Sequence, residues 1–224
     1  MSKTVLVIGA SRGIGKELVS NFNKLGFSTY GFSRSFNSIS KSGNTTLIHL
    51  DLNSPTLKES FAKSIESIET IDYVIYNAGT IAVKPFLKLS RTEIQSCYQV
   101  NVMAAMEVLQ VCIPKMNPQG HIVLISSIGG FQGSVKFAGL SAYSTSKAAL
   151  VSLTELLAEE FKDAQFSINC LCLGAVQTEM LQEAFPGYQA PHSATEMASF
   201  ITNFTINQGA FFKGKIIPVS ISTP

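Results

Sequence analysis

VLVIGASRGIGKEL, residues 5–18, is the stretch on which the reading of this chain turns. Three chemistries compete for it. Gly9-Ala10-Ser11-Arg12-Gly13 fits the G-x-S-x-G elbow of a serine hydrolase, Gly15-Lys16 resembles the end of a triphosphate-binding P-loop, and Gly9, Gly13 and Gly15 together suit a dinucleotide pyrophosphate. A P-loop needs four residues between its glycines and a hydroxyl after the lysine. Here the gap is one residue too long, and Glu17 stands where the hydroxyl would hold magnesium. A hydrolase elbow at Ser11 follows the first strand, so no earlier loop supplies a second oxyanion donor, and His192, the only candidate loop histidine, has no compelling acidic partner. The dinucleotide reading remains. An apolar strand, Thr4–Ile8, runs into a glycine-rich turn that opens a helix. Glycine lets phosphate approach the backbone, and a helix N-terminus offers free N–H groups and a positive dipole end. The spacing G-x-x-x-G-x-G differs from the common G-x-G-x-x-G.

The rest of the chain agrees with such an enzyme. Its 224 residues suffice for one sizeable domain, read here as 1–224 with a substrate loop near 178–195. Hydrophobic residues make up 46% and charged residues 14%, a globular composition, and the net charge of +2 gives no reason to expect nucleic acid or a membrane surface. The N-terminal apolar run is too short for a signal peptide, and no run approaches a membrane span. Cys97, Cys112, Cys170 and Cys172 show neither C-x-x-C spacing nor a histidine cluster, so buried thiols are expected and no metal site. A cytoplasmic location fits.

Seven β-rich runs alternate with helical patterns. Strands are expected at Thr4–Ile8, Phe27–Phe32, Thr46–Leu50, Tyr73–Tyr76, His121–Ile125, Phe166–Cys172 and Lys215–Val219. Helices are expected at Ile14–Lys24, Thr56–Ser67, Arg91–Met116, Ala142–Phe161 and Ala194–Ile206, with the serine-rich stretch 33–44 as a surface loop and 178–195 irregular. Continuously apolar strands between helices predict an α/β, doubly wound, parallel sheet with helices on both faces.

Five motifs in order, GASRGIG (9–15), NAG (77–79), Asn101, ISS (125–127) and YSTSK (143–147), closely resemble the short-chain dehydrogenase/reductase family over nearly the whole chain. The resemblance implies a Rossmann-like fold with a seven-stranded parallel sheet, and catalysis by Asn101, Ser127, Tyr143 and Lys147. It implies a nicotinamide cofactor held by Gly9, Ser11, Arg12, Gly13, Ile14, Gly15, Arg34, Asp51, Leu52, Asn77, Ala78, Gly79, Tyr143, Lys147, Gly174, Val176 and Thr178. Tyr143 and Lys147 lie four apart on a predicted helix and so share a face. An ammonium ~4 Å from a phenol is worth roughly 4 kcal/mol at an effective dielectric of ~20, enough to lower a tyrosine pKa by up to about three units. Tyr143 then serves as general acid for a carbonyl, or base for an alcohol. Placing the family's Ser-x-x-Gly on Gly130 selects Ser127 over Ser126 as the residue that orients the substrate oxygen. Asn101 corresponds to the family's helix-bending asparagine, whose main chain holds a water in a proton relay to the lysine.

The second strand ends in Ser33-Arg34-Ser35, with no carboxylate for a free ribose 2′-hydroxyl. Arg34, joined by Arg12, suits a 2′-phosphate, so NADP(H) is expected over NAD(H). Ile8 and Leu173 replace the family's Thr and Pro, the segment 128–142 is a few residues longer than usual, and the chain closes on VSISTP. Phe86, Phe131, Phe137, Leu181, Phe185 and Tyr188 are expected to make the substrate pocket apolar. The expected function is NADPH-dependent reduction of an apolar aldehyde or ketone, reversible as an alcohol dehydrogenase. The alternative is an NADP(H)-bound redox sensor or signalling protein with little turnover. The family pairs helices equivalent to Arg91–Met116 and Ala142–Phe161, which implies a homodimer or homotetramer.

Overall fold

A computed structural model describes residues 2–221, so the last three residues of the VSISTP close lie outside it. In chain order the elements are β1 (Thr4–Ile8), α1 (Gly13–Lys24), β2 (Ser28–Ser33), β3 (Ser40–Ser42), β4 (Thr45–His49), α2 (Leu57–Ser64) and β5 (Ile71–Tyr76). Then come α3 (Arg91–Tyr98), α4 (Ala104–Cys112), β6 (Met116–Ser127), α5 (Ser141–Glu160) and β7 (Ser167–Leu173). The chain finishes through β8 (Val176–Gln177), α6 (Glu179–Ala184), β9 (His192–Ser193), α7 (Ala194–Asn207) and β10 (Ile216–Val219).

The main sheet has the order β10-β7-β6-β5-β1-β2-β4-β3. Seven of its strands are parallel, as expected. The eighth, β3, pairs antiparallel with β4 inside the serine-rich stretch read as a loop. Its three residues are all exposed and carry no apolar alternation, so nothing in them signals a strand. Strand residues divide by parity between two cores. Leu6, Ile8, Ile122, Leu124, Cys170 and Cys172 face the layer that contains α2, α4 and α5. Val5, Val7, Val123, Ile125, Leu171 and Leu173 face α1 and α7. Ile8 and Leu173, which stand where the resembled pattern has Thr and Pro, are therefore both core residues.

β1 pairs with β2 on one side and β5 on the other, and the chain order runs outward from it in both directions. The carboxyl ends of β1 and β5 thus form the switch point at which ligands enter open α/β sheets. The helix expected over Arg91–Met116 is interrupted. Gln99–Met103 form a wider π turn between α3 and α4, and Ile113–Lys115 tighten into a 3-10 turn around Pro114.

Candidate active site

The glycine turn is built by three close approaches. Gly9 has φ +87°, and a Cβ there would meet the Ala78 backbone at 2.7 Å. A Cβ on Gly15 would meet the Gly9 carbonyl oxygen at 1.9 Å, and one on Gly13 (φ +51°) would meet Thr178 at 3.2 Å. Backbone N–H groups of Gly9 and Ala10 donate to Phe32 O at 2.9 and 3.0 Å, and Asn77 Nδ2 donates to Gly9 O at 2.8 Å. The turn is thus pinned to β2 and to the end of β5. Helix α1 begins here with no side-chain cap and no acidic residue in its first turn, which leaves its first N–H groups available to an anion.

A cleft of about 1000 Å³ opens over the carboxyl ends of the strands. Gly9, Ser11, Arg12, Gly13 and Ile14 line it, with Arg34, Asp51, Leu52, Asn77, Ala78 and Gly79. Ser127, Tyr143, Lys147, Gly174, Val176 and Thr178 line it as well. Of the expected site residues only Gly15 and Asn101 stand behind the wall. Gly15 closes the glycine turn, and Asn101 is buried in the π turn.

Ser126 and Ser127 separate by environment. Ser126 is buried, and its hydroxyl donates to Lys147 O at 2.9 Å. Ser127 ends β6 half-buried, and its oxygen accepts the Gly129 N–H at 3.2 Å. The longer segment after it is packed rather than loose. Lys136 Nζ donates to Gly129 O (3.1 Å), Phe131 O (2.6 Å) and Ser134 Oγ (2.7 Å). A Cβ on Gly130 would strike the Lys147 and Ala148 backbone at 2.6–2.7 Å, so this loop sits directly on α5.

Tyr143 and Lys147 share one face of α5, and both reach the cleft. Lys147 is 4% exposed, and its ammonium donates to Ile125 O at 2.8 Å. A Cβ on Gly79 would lie 3.3 Å from that nitrogen and 3.4 Å from Asn101 Oδ1, so Gly79 leaves the room in which both sit. Asn101 Oδ1 accepts the Thr80 N–H at 2.8 Å, while its Nδ2 donates to Thr80 O (3.0 Å) and Ser146 Oγ (2.8 Å). Ser146 in turn donates to Tyr143 O at 2.7 Å. The asparagine side chain is saturated, and the π turn around it alters the main-chain pairing of the helix.

The expected depression of the Tyr143 phenol by Lys147 is corrected by the structure. Burial pushes the phenol above its usual value, the Ser127 hydroxyl draws it back down, and the Cys97 and Cys172 thiols raise it. Burial also pulls the Lys147 ammonium down to about 8, with Cys170, Cys172 and Cys97 opposing. An ammonium bound to a main-chain oxygen and itself desolvated does not activate the phenol in the chain alone.

The substrate side is partly as expected. Phe137, Leu140, Leu181, Phe185 and Tyr188 line the cleft with Ile128 and Met180. Phe86 does not, being 72% exposed on a 3-10 turn, and Phe131 packs into the core. Three further features escaped the sequence reading. The irregular stretch contains α6, capped by Thr178, whose hydroxyl oxygen accepts Leu181 N–H. Glu179 and Glu183 of α6 line the cleft. Arg12 forms a two-pronged ion pair with Glu183, at 2.5 and 3.2 Å. No motif flags Glu183, and its partner is 171 residues away. Arg34, by contrast, is exposed and has no hydrogen-bond or ion-pair partner among the described residues.

Among the described residues no group of three or more His, Cys, Asp or Glu side chains could hold a metal, and no helix is long and apolar enough to cross a membrane.

Comparison with known proteins places these features in context. A family model described as short chain dehydrogenase matches residues 3–189. The chain is 31% identical over 220 residues to the NADPH-dependent pterin aldehyde reductase of Arabidopsis thaliana, covering 91% of this chain and 89% of that protein. It is 33% identical over 190 residues to the ketoacyl reductase HetN of Nostoc sp., a match over 80% of this chain and 65% of that longer protein. Among solved structures, ligand-free aldohexose dehydrogenase of Thermoplasma acidophilum superposes with a TM-score of 0.83 at 23% identity, covering 100% of this chain and 97% of that one. A short chain dehydrogenase of Escherichia coli CFT073 solved with NADPH gives 0.84 at 24% identity, covering 96% and 95%. These two likenesses establish the fold.

Proposed function

Because the chain belongs to the short-chain dehydrogenase family, we propose that it reduces an apolar aldehyde or ketone with NADPH, reversibly as an alcohol dehydrogenase. The observation that carries this reading is the placement of Tyr143, Lys147 and Ser127 in one cleft with the glycine turn. The glycine turn fits a dinucleotide: it has a cradle that a Cβ would fill at Gly9 and Gly15, and an uncapped helix start. The cofactor supplies the hydride.

This chain's residues supply position and a proton. Ser127, which has room to donate its hydroxyl hydrogen, orients the substrate oxygen. Tyr143 gives its phenolic proton to that oxygen as the carbonyl becomes an alcohol. Lys147, once drawn from Ile125 O toward the cleft, stabilises the phenolate that remains. Asn101 fixes Thr80 and the π turn beside Lys147, a positioning role. Phe137, Leu140, Phe185 and Tyr188 exclude water from the reacting carbon.

Arg34 and Ser35 at the end of β2 favour a 2′-phosphate, which supports NADP(H) over NAD(H). The pterin aldehyde reductase and the NADPH-bound neighbour agree with that choice. Met103, Met106 and Leu156 are exposed on the helices expected to pair, which supports a homodimer or homotetramer. A panel of aldehydes and ketones offered with NADPH and with NADH tests the proposal. Loss of NADPH absorbance with an apolar carbonyl is the expected result. Tight NADPH binding with no oxidation across the panel would favour the redox-sensing alternative instead.

A further inference from the structure

Segment 178–191 is loosely tied to the body of the protein. Helix α6 has no buried residue. The segment is held by packing of Thr178 and Glu179 against Gly13, by the β8–β9 pairing, and by Ala190 N–H donating to Gln177 Oε1 at 2.8 Å. From α6 itself, Glu183 makes an ion pair with Arg12 of the glycine turn, and the Glu179 carboxylate adds a longer-range attraction to the same guanidinium. Its geometry is the two-pronged fork that guanidinium also forms with a phosphate. Both side chains line the cleft, and they are 48% and 63% exposed, so a ligand can reach the pair from solvent.

The guanidinium cannot present the same N–H fork to a carboxylate and to a phosphate. We propose that Glu183 is a specificity-determining residue that competes with the cofactor's 2′-phosphate for Arg12, so that binding of a phosphorylated dinucleotide and release of α6 are a single event. The inference rests on the NADP(H) reading above. Arg34, which has no partner among the described residues to give up, supplies the standing attraction for the phosphate, and Arg12 supplies the exchange. A dinucleotide with a free 2′-hydroxyl leaves the Arg12–Glu183 pair closed and α6 in place. NADP(H) opens it and releases α6 from the glycine turn. Because an exposed ion pair is weak, the competition is modest: removing the Glu183 charge is worth about two- to fivefold in NADP(H) affinity.

The test combines Glu183→Gln with hydrogen exchange of residues 179–188, using adenosine 2′-monophosphate and adenosine 5′-monophosphate as probes, and titrations of NADPH and NADH. The expected result is faster exchange in the wild-type segment with the 2′-monophosphate and none with the 5′-monophosphate. E183Q exchanges fast without either probe, and it binds NADPH about two- to fivefold more tightly with NADH affinity unchanged. If the wild type binds the 2′-monophosphate while exchange in 179–188 stays the same and E183Q leaves NADPH affinity unaltered, the competition is overturned and the cofactor reading stands. If the wild type binds neither the 2′-monophosphate nor NADPH, both fall.

Discussion

The Lys147 ammonium, almost wholly buried, donates to the Ile125 main-chain oxygen at 2.8 Å. This contact holds a cation in the interior at a cost. The folded-state pKa is pulled from 10.5 to about 8 by burial. The charge penalty is therefore fully present below pH 8 and fades as pH rises toward 10.5. The expected magnitude is on the order of 3 kcal/mol, reduced in a variant by the hydrogen bond lost at Ile125. Lys147→Met should raise unfolding stability by about 1–3 kcal/mol at pH 7, lose most of that advantage near pH 10.5, and abolish turnover. Urea unfolding at the two pH values checks it. A destabilised variant at pH 7 would mean that the interior carries the charge without strain.

The neighbouring serines should separate stability from turnover. Ser126 fastens α5 to β6 through Lys147 O, whereas Ser127 opens to the cleft. Ser126→Ala is expected to cost about 1 kcal/mol of stability and leave kcat near wild type. Ser127→Ala should fold normally and lose ~10²-fold in kcat. Thermal unfolding and steady-state kinetics on both variants read the contrast, and equal kinetic losses would dissolve it.

Acid sensitivity should trace to His121, far from the cleft. Its Nδ1 lies 3.0 Å from Thr205 O, and its Nε2 accepts Asn169 Nδ2 at 2.8 Å, so the ring is held neutral. Burial lowers its pKa from 6.5 to about 4. A folded value below the unfolded one means that stability is intact above pH 6.5 and is lost as pH falls toward 4, by up to ~3 kcal/mol. Urea midpoints of the wild type should drop over that window. His121→Gln should start lower and show a shallower drop. A parallel drop would assign the acid sensitivity to other groups.

Arg34→Asp should exchange attraction for repulsion at the 2′-phosphate position. An NADPH affinity loss of about 10- to 100-fold is expected, with a relative gain for NADH. Titration of both cofactors measures it, and an unchanged ratio would remove Arg34 from the site.

Much of this was legible in the residues. β1 is found at the predicted Thr4–Ile8, and α1 starts one residue before the predicted Ile14. An unbroken apolar run and a glycine turn are local signals. The Tyr143–Lys147 face follows from a four-residue spacing, and Ser127 was picked out by its distance to Gly130, whose contact with α5 explains the need for glycine there. What the sequence hid was either long-range or without pattern. β3 is a polar exposed triplet made a strand only by β4. The π turn at Asn101 arises where Tyr76 Oη donates to Val100 O at 2.6 Å and Asn101 clamps Thr80, contacts made from distant segments. The Tyr143 phenol was expected to be lowered on charge alone. Spacing conveys neither burial nor that the ammonium is engaged by Ile125 O. Arg12 was legible as a basic residue, but not its partner Glu183.

The most direct measurement is single-turnover reduction by Tyr143→Phe at saturating NADPH, with cofactor binding followed in the same samples. NADPH affinity within a few-fold of wild type and a rate lower by about 10²–10⁴-fold, the loss of a general acid, are expected. Reduction at the wild-type rate by a variant that binds NADPH normally would contradict that role for Tyr143.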